Sequence, residues 1–493
     1  MAQAEGSFGM GAVIAVVNKK GSATETAVAM LKMLEHSGVE AFGIASPTIV
    51  KIGKSVEALR DEDINSPIVI GHVFSKIVMS DKPQPTKLEN ATLVFEGRIY
   101  PPNTEFSDAE FTAEKLKQSR QENAEGLIKN FEGSFAFGVA ESDRLVAGRD
   151  SLGLYPLYYG ENGDLAASAS ERKALWKIGI KEANSFPPGH IAVVDKHGFK
   201  FRLMKTLVHT RTRQTTMQAA AKKLRRLLQQ SVKERVSGLK EVAVAFSGGL
   251  DSGIIAFLAR NFGIDVHLFF VSLENQPEAK YAREAAEALK LPLHIHFYSE
   301  KAVEEALPKV LWLIEESNPV KTSIGIPVFW TAEKASEMRF RVMLAGQGAD
   351  ELFGGYKRYL NDYSQYGEEL VQKKIFNDTA RICETNLERD SKICNFHNLE
   401  LRLPFATYQL AKFAVSLPLQ LKIASPNDML RKIVLRKVAE DMGLPHFIAN
   451  KPKRAIQYAT GVNKVIKRLA KQKGLATKEY LQKKFRTTFK RRI

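Results

Sequence analysis

A short apolar run, Val242-Ala243-Val244-Ala245-Phe246, leads straight into Ser247-Gly248-Gly249-Leu250-Asp251-Ser252 and then into a helical pattern over residues 253–261. A buried strand that ends in two glycines and opens a helix fixes much of what this part of the chain can become. Glycine permits the sharp turn and lets backbone N–H groups approach a ligand. The helix N-terminus adds unsatisfied donors and partial positive charge, which suits a phosphate. Ser247 and Ser252 bring hydroxyl donors. Asp251 would repel a bare phosphate, so its place in the loop implies Mg2+ carried by that phosphate. The Gly-Lys-Ser/Thr ending of a Walker loop is missing, which argues against γ-phosphoryl transfer of that type. The competing reading is an ordinary Gly-Gly turn. Strand, hydroxyls, carboxylate and helix together favour the phosphate site.

The alternation continues downstream. Residues 266–271 read as a strand, 277–289 as a helix, 293–297 as a strand, and helices follow from Lys301. Strands alternating with helices imply a parallel sheet with right-handed crossovers. Residues 217–236 read as a preceding helix, and from about Glu368 the pattern is mostly helical. The first 200 residues differ. Short apolar runs at 12–17, 67–70, 91–95, 135–139 and 190–194 are punctuated by turn signals such as Glu161-Asn162-Gly163-Asp164. Helical stretches intervene at 25–36 and 108–130. A basic, Thr-rich stretch at 205–216 is the candidate linker. A chain of 493 residues leaves room for two or three domains, divided here into 1–205 and 206–493.

Composition excludes several classes. Hydrophobic residues make up 44% and charged residues 26%, as in soluble globular proteins. No apolar run reaches the roughly 18 residues needed for a spanning helix. Residues 1–11 lack the charged and apolar regions of a signal peptide, so a cytoplasmic location is expected. Cys383 and Cys394 are the two cysteines, which excludes a disulfide framework and a four-cysteine zinc site. The net charge is +17, and residues 464–493 carry twelve Lys/Arg against Glu479 alone. Such a tail suits weak contact with nucleic acid or an anionic surface. Its interleaved Val465, Ile466, Leu469, Leu475, Tyr480, Leu481 and Phe485 equally suit a solvated amphipathic helix.

The loop Ser247–Ser252 resembles the pyrophosphate loop of ATP pyrophosphatases. Leu344-Ala345-Gly346-Gln347-Gly348-Ala349-Asp350-Glu351-Leu352-Phe353-Gly354-Gly355-Tyr356 resembles the signature of the asparagine synthetase family. Leu399-Glu400-Leu401-Arg402-Leu403-Pro404-Phe405 is similar to that family's Glu-x-Arg-x-Pro-Phe segment. Lys451-Pro452-Lys453-Arg454-Ala455-Ile456-Gln457-Tyr458 is similar to the region of its synthetase lysine. In the amino-terminal half, Phe131-Glu132-Gly133-Ser134-Phe135-Ala136-Phe137, Gly148-Arg149-Asp150-Ser151-Leu152-Gly153 and Pro187-Pro188-Gly189 resemble a class II glutamine amidotransferase domain.

The resemblance implies an α+β four-layer αββα sandwich of the Ntn-hydrolase type. It is followed by an α/β doubly wound parallel sheet of the ATP pyrophosphatase type with a helical C-terminal part. It also implies the chemistry. ATP lies with its pyrophosphate on Ser247, Gly248, Gly249, Asp251 and Ser252, and adenine lies near Phe246, Val271 and Gly346. Asp251 and Asp350 hold Mg2+. The carboxylate of aspartate, or of another small acid, attacks the α-phosphorus to give an acyl-adenylate. Lys453, with Lys451 as alternate, stabilises the developing charge. Gln347 stands where the family often has an acid near the substrate. Ammonia then attacks the acyl carbon. The family is often dimeric.

The amino-terminal half departs from the pattern at several positions. Aligning Asn18-Lys19-Lys20-Gly21 puts the amidotransferase cysteine at Gly11, or at Met10 with a shift, and neither is a nucleophile. Ser7 is the nearby hydroxyl. Glu96-Gly97-Arg98-Ile99-Tyr100 replaces Asn-Gly-Glu-Ile-Tyr, so a base stands where an acid would hold glutamine's amino group. Asp108 remains. Gly71-His72-Val73-Phe74-Ser75 lacks the arginine expected to clamp the carboxylate. The expectation is a retained fold without glutaminase activity. Rival readings are a β-lactam synthetase-like ligase with another carboxylate, a tRNA-modifying enzyme, and an ATP-binding sensor. His294 and His296 read as strand residues rather than a zinc site, Glu315-Glu316 as a helix-surface pair, and Arg402 as a structural residue that pairs with Glu400 or, in the competing reading, a substrate group.

Overall fold

The computed structural model describes residues 11–37, 40–60, 63–103, 105–118, 123–209 and 212–490. Met10 and Ser7 lie outside the described residues. The chain divides into two compact units. The first runs to Thr206 and also takes in Cys394–Glu400; the second comprises Leu207–Ile393 and the chain from Leu401 onward.

The first unit holds two antiparallel sheets. One has seven strands in the order Asn184–Ser185, Tyr158–Glu161, Leu165–Ala169, Ala12–Asn18, Ile68–Phe74, Ala41–Ala45, Val50–Gly53. The other has six, in the order Gly198–Leu203, His190–Asp195, Leu145–Arg149, Glu132–Ala140, Thr92–Tyr100, Thr86–Lys87. Strand Ala12–Asn18 is apolar up to its last residue because it is central and covered on both faces. Its register sets Ile14 opposite Gly71 and Ala169. Successive side chains alternate between faces. Ile14 and Val16 therefore join Ala27, Met30 and Leu31 of the helix Thr24–Lys32. Val13, Ala15 and Val17 join Val94, Ala136 and Ala147 of the second sheet. The far face of that sheet, with Phe95, Phe135 and Phe137, packs on Ala109, Ala113, Leu127 and Ile128. Three apolar interfaces thus separate four layers, αββα. Each fully buried large apolar side chain contributes about 1.5–3 kcal/mol.

The helical stretch expected at 108–130 is two helices, Asp108–Gln118 and Asn123–Asn130. The Gly-Arg-Asp motif has a structural use here. Arg149 is fully buried and donates to the carbonyls of Tyr155 (2.6 Å) and Phe186 (2.9 Å). Asp150 accepts from the N–H groups of Leu152, Leu154, Tyr155 and Phe135 at 3.0–3.2 Å. Each side chain satisfies turn backbone that burial would otherwise strand.

The second unit is built on a five-stranded sheet in the order Leu293–Tyr298, Asp265–Leu273, Glu241–Ala245, Val342–Leu344, Glu400–Arg402. Glu241–Ala245 runs parallel to both neighbours, and Asp265–Leu273 parallel to Leu293–Tyr298. In chain order the strands stand 3-2-1-4-5, so the order reverses at Glu241–Ala245. The crevice at the carboxyl end of such a switch-point strand is where open α/β sheets bind ligands. The strand Glu400–Arg402 lies inside a stretch whose sequence reads as helical; at three residues it is too short to show a period.

One expectation is corrected. Glu315 is not on the surface. It caps the helix Glu300–Ile314 with left-handed backbone, is 3% exposed, and pairs with buried Lys392 at 2.9 Å. A left-handed cap turns the chain inward, which a helical wheel cannot foresee. Arg402 has a structural use: its guanidinium donates to the carbonyl of Arg235 at 2.5 Å. The tail is two helices, Val462–Gln472 and Thr477–Lys490, with Val465, Ile466, Tyr480, Leu481 and Phe489 buried. Among the described residues, no helix is long and apolar enough to cross a membrane.

Candidate active site

The switch-point strand ends at Ala245, and Phe246 continues the ladder by donating its N–H to the carbonyl of Phe269 at 2.9 Å. The chain then turns through Gly248 at φ +68°, where a Cβ would press on Ala282 Cα at 3.2 Å. A side chain there would suffer both strain and crowding, so the loop requires glycine. The helix Leu250–Asn261 begins with Gly249 as its N-cap, with no side-chain cap. Its first turn therefore keeps N–H groups for a ligand. The two serines brace the loop: Ser247 N–H donates to Ser252 Oγ at 3.2 Å, and the two hydroxyls lie 3.3 Å apart. The helix begins three residues earlier than the sequence pattern suggests, so Asp251 and Ser252 belong to its first turn.

The signature loop arrives beside it. Val342–Leu344 ends next to Glu241–Ala245, and Gly346 lies so close that a Cβ there would sit 2.9 Å from Asp251 Cβ. Gly348, at φ +98°, starts the helix Ala349–Phe353, which carries Asp350 on its first turn. Two carboxylates from separate loops are thereby brought together.

Two lysines hold them. Lys432 Nζ lies 2.7 Å from Asp251 and 2.6 Å from Asp350 Oδ1. Lys453 Nζ lies 2.7 Å from Asp350 Oδ2 and 3.7 Å from Asp251. Burial pushes the Asp350 carboxyl up, but Lys432 and Lys453 outweigh it and hold it well below the usual range. Burial pushes the Lys453 ammonium down, and Asp350 with Asp251 more than reverses this, so Lys453 stays charged. Sequence reasoning missed Lys432. It sits at left-handed φ +55° just before the helix Ile433–Asp441, in no recognisable motif. The signal that was readable is its basic run Arg431-Lys432 ahead of an apolar helix.

Lys451 and Lys453 have different partners. Lys451 Nζ donates to the carbonyl of Ser247 at 2.8 Å and lies 3.9 Å above the Tyr281 ring. Burial lowers its pKa to about 8, against the pull of Glu278. Lys453 touches the carboxylates and Lys451 the loop backbone. Gln347 donates to buried Asp390 at 2.9 Å, and Arg389 clasps Asp390 through two hydrogen bonds at 2.7 and 2.9 Å. Val271 is buried within its strand, next but one to Phe269.

The donor set fits a hard divalent cation. Asp350 Oδ1 is fully buried, receives no well-aligned hydrogen bond, and shares Lys432 with Asp251. Oxygen ligands from two carboxylates beside a phosphate loop are what Mg2+ uses. Among the described residues no group of three or more His, Cys, Asp or Glu forms a separate metal site. His294 pairs with His267 at 2.9 Å, a partner that sequence did not suggest.

In the first unit, the residues aligned with the amidotransferase pocket are occupied by each other. A Cβ on Gly11 would lie 2.2 Å from Glu96 Oε2, and Glu96 is held 2.7 Å from buried His72. Arg98 forms two hydrogen bonds to Asp81, at 2.6 and 2.7 Å, and also reaches Glu400 (2.7 Å) and Asp108 (3.3 Å). Burial raises the Asp108 carboxyl to about 6 despite Arg98. The cavity lined by Asp81, Glu96, Arg98 and Asp108 has a volume of only about 30 Å3.

The asparagine synthase family matches residues 223–371 and 365–491, and the glutamine amidotransferase domain family matches residues 74–177. A Methanocaldococcus jannaschii protein, provisionally assigned as glutamine-hydrolysing asparagine synthetase 1, is 30% identical across 91% of this chain and 93% of its own length. Glutamine-hydrolysing asparagine synthetase 2 of Arabidopsis thaliana is 27% identical over 66% of this chain, which spans 58% of that protein. Asparagine synthetase B of Escherichia coli, also glutamine-hydrolysing, is 27% identical over 69% of this chain and 63% of its own length. With its synthase half matched throughout and an amidotransferase-type domain ahead of it, the chain belongs to the asparagine synthetase family.

Proposed function

We propose that this chain is an ATP-dependent amide ligase of the asparagine synthetase type that activates a carboxylate as an acyl-adenylate and uses ammonia rather than glutamine. The observation that carries the reading is the quartet Asp251, Asp350, Lys432 and Lys453 at the mouth of the Ser-Gly-Gly-x-Asp-Ser loop. The loop's N–H groups and serine hydroxyls bind the β- and γ-phosphates of ATP. Asp251 and Asp350 would hold Mg2+, which would offset the phosphate charge. A carboxylate oxygen of aspartate attacks the α-phosphorus, the α–β bridging bond breaks, and pyrophosphate leaves. Lys453, held in its charged form by Asp350 and Asp251, stabilises the oxygens that gain charge at the α-phosphate. Ammonia next attacks the acyl carbon. The C–N bond forms, the acyl C–O bond breaks, AMP departs, and the nitrogen gives up a proton.

Loss of the glutaminase step rests on position 11. Glycine there offers no thiolate, and Arg98 fills the space that glutamine's amino group would need. The reading places domain 1–205 as an inactive amidotransferase remnant, 206–493 as the synthetase, and the whole in the cytoplasm. A second reading, a β-lactam synthetase-like ligase with another carboxylate, is favoured by one observation. Gln347 is tied to Asp390 rather than presenting an acid of its own. The test is ATP–pyrophosphate exchange. Aspartate-dependent exchange that Asp251→Ala abolishes supports the proposal. Exchange that needs a different acid favours the second reading, and no exchange with any small acid refutes both.

A further inference from the structure

The C-terminal helices Val462–Gln472 and Thr477–Lys490 are consumed on one face and unneutralised on the other. Their apolar side chains pack within the second unit, against the helices Glu300–Ile314 and Pro319–Glu337. Phe489, for example, lies 4.8 Å from the Trp312 ring. Of their cations, Arg468 pairs with Glu300, and Lys484 with Glu304 at 3.7 Å. Lys464, Lys467, Lys471, Lys473, Lys478, Lys483, Arg486 and Lys490 are exposed. Glu479 is the one acid in this stretch, and it accepts from the N–H of Ala476.

We propose that this helical pair is a binding surface for the phosphate backbone of a nucleic acid. Along Val462–Gln472, Lys464, Lys467 and Lys471 are spaced by three and four residues, so they share a face at intervals of about 4.5–6 Å. A duplex strand carries one charge per about 3.4 Å, so each lysine meets one or two phosphates. A membrane surface fits less well. Peripheral helices bind membranes by sinking an apolar face into the acyl boundary, and here that face is already packed inside the protein. What remains is charge without an apolar or base-reading element, so recognition is of backbone and not of sequence.

The test uses the full chain and fluorescence anisotropy with a labelled single-stranded RNA of about 20 nucleotides and a duplex DNA of about 20 base pairs, from 50 to 300 mM KCl. Co-sedimentation with phosphatidylcholine–phosphatidylserine vesicles runs in parallel. Binding should fall steeply with salt, with a log–log slope of about −3 to −5, as expected for four to six phosphate contacts. The probe that binds more tightly identifies single strand or duplex as the natural form. The combined variant Lys467→Glu, Lys471→Glu, Lys478→Glu and Lys483→Glu should weaken binding at least tenfold and flatten the slope, with pyrophosphate exchange unchanged. A matched reversal of exposed Lys222, Lys223, Arg225 and Arg226 on the helix Met217–Val236 should leave most binding in place. Equal loss in both variants would mean bulk charge only and would overturn the proposal. So would absence of binding at 50 mM KCl, or tighter binding to vesicles than to either polynucleotide.

Discussion

Lys432 is the residue whose removal tests the site most severely. Its side chain is 3% exposed and is shared between two carboxylates at 2.6–2.8 Å. Lys432→Met keeps the length and removes the charge. Breaking a buried ion pair by deleting one partner typically costs about 3–5 kcal/mol, because the other charge is left in low dielectric. Here Asp350 keeps Lys453 at 2.7 Å, whereas Asp251 is left with Lys453 at 3.7 Å. The lower end, about 3 kcal/mol, is therefore expected, read as a lower urea midpoint at unchanged m-value. The loss should be partly recovered by about 10 mM MgCl2, because a cation between the two carboxylates replaces the missing ammonium. The acid limb should move as well. Asp350 has a folded pKa below its unfolded value, so its contribution is present above the ordinary carboxylate range and is lost as pH falls. Without Lys432 that loss should begin at higher pH. A variant as stable as the parent, or one that Mg2+ does not help, would refute the idea that this lysine compensates a carboxylate pair built for a divalent ion.

Other predictions concern single groups. Lys451 has its pKa lowered by burial to about 8, so ATP affinity should decline between pH 7 and 9; Lys451→Gln should bind more weakly and without that decline, as isothermal titration at each pH would show. Asp108 has its pKa raised by burial from 3.8 to about 6, so its charged form costs stability that grows as pH rises from about 4 through 6. Asp108→Asn should therefore stabilise the protein at pH 8 by up to about 3 kcal/mol and change little near pH 4, whereas destabilisation at pH 8 would show that its ion pair with Arg98 dominates. Gly11→Cys should not create glutaminase activity and should lower Tm, because the new side chain meets Glu96 where His72 holds it. Glutamate release from glutamine by that single variant would contradict the account of the pocket.

The parts of the site that were legible in the sequence are those written contiguously. Ser247–Ser252 and Gly346–Asp350 each combine a strand end, glycines and an acid within a few residues, so local chemistry announces them. The four layers of the first unit were legible only through the resemblance of segments such as residues 148–153 to an amidotransferase domain; the apolar run at 12–17 marked a strand and no more. Lys432 was not legible, because its meaning comes from Asp251, 181 residues away, and from a left-handed backbone that no propensity marks. Glu315 read as surface because charge next to charge on a helix usually is; its partner Lys392 is 77 residues distant. Arg98 stood out as a wrong charge in a familiar segment, but nothing near it in the chain pointed to Asp81 and Glu400 as its partners. Side chains that neutralise each other across long separations are invisible to any window along the chain.

In the proposed reaction nitrogen reaches the acyl-adenylate as ammonia and not from glutamine bound by this chain. Asparagine and pyrophosphate formation by the purified protein with Mg-ATP and aspartate, with either ammonium or glutamine as the nitrogen source, tests it directly. Stoichiometric asparagine and pyrophosphate are expected with ammonium, and neither asparagine nor glutamate with glutamine. Asparagine formed from glutamine in an ammonium-free assay would contradict it.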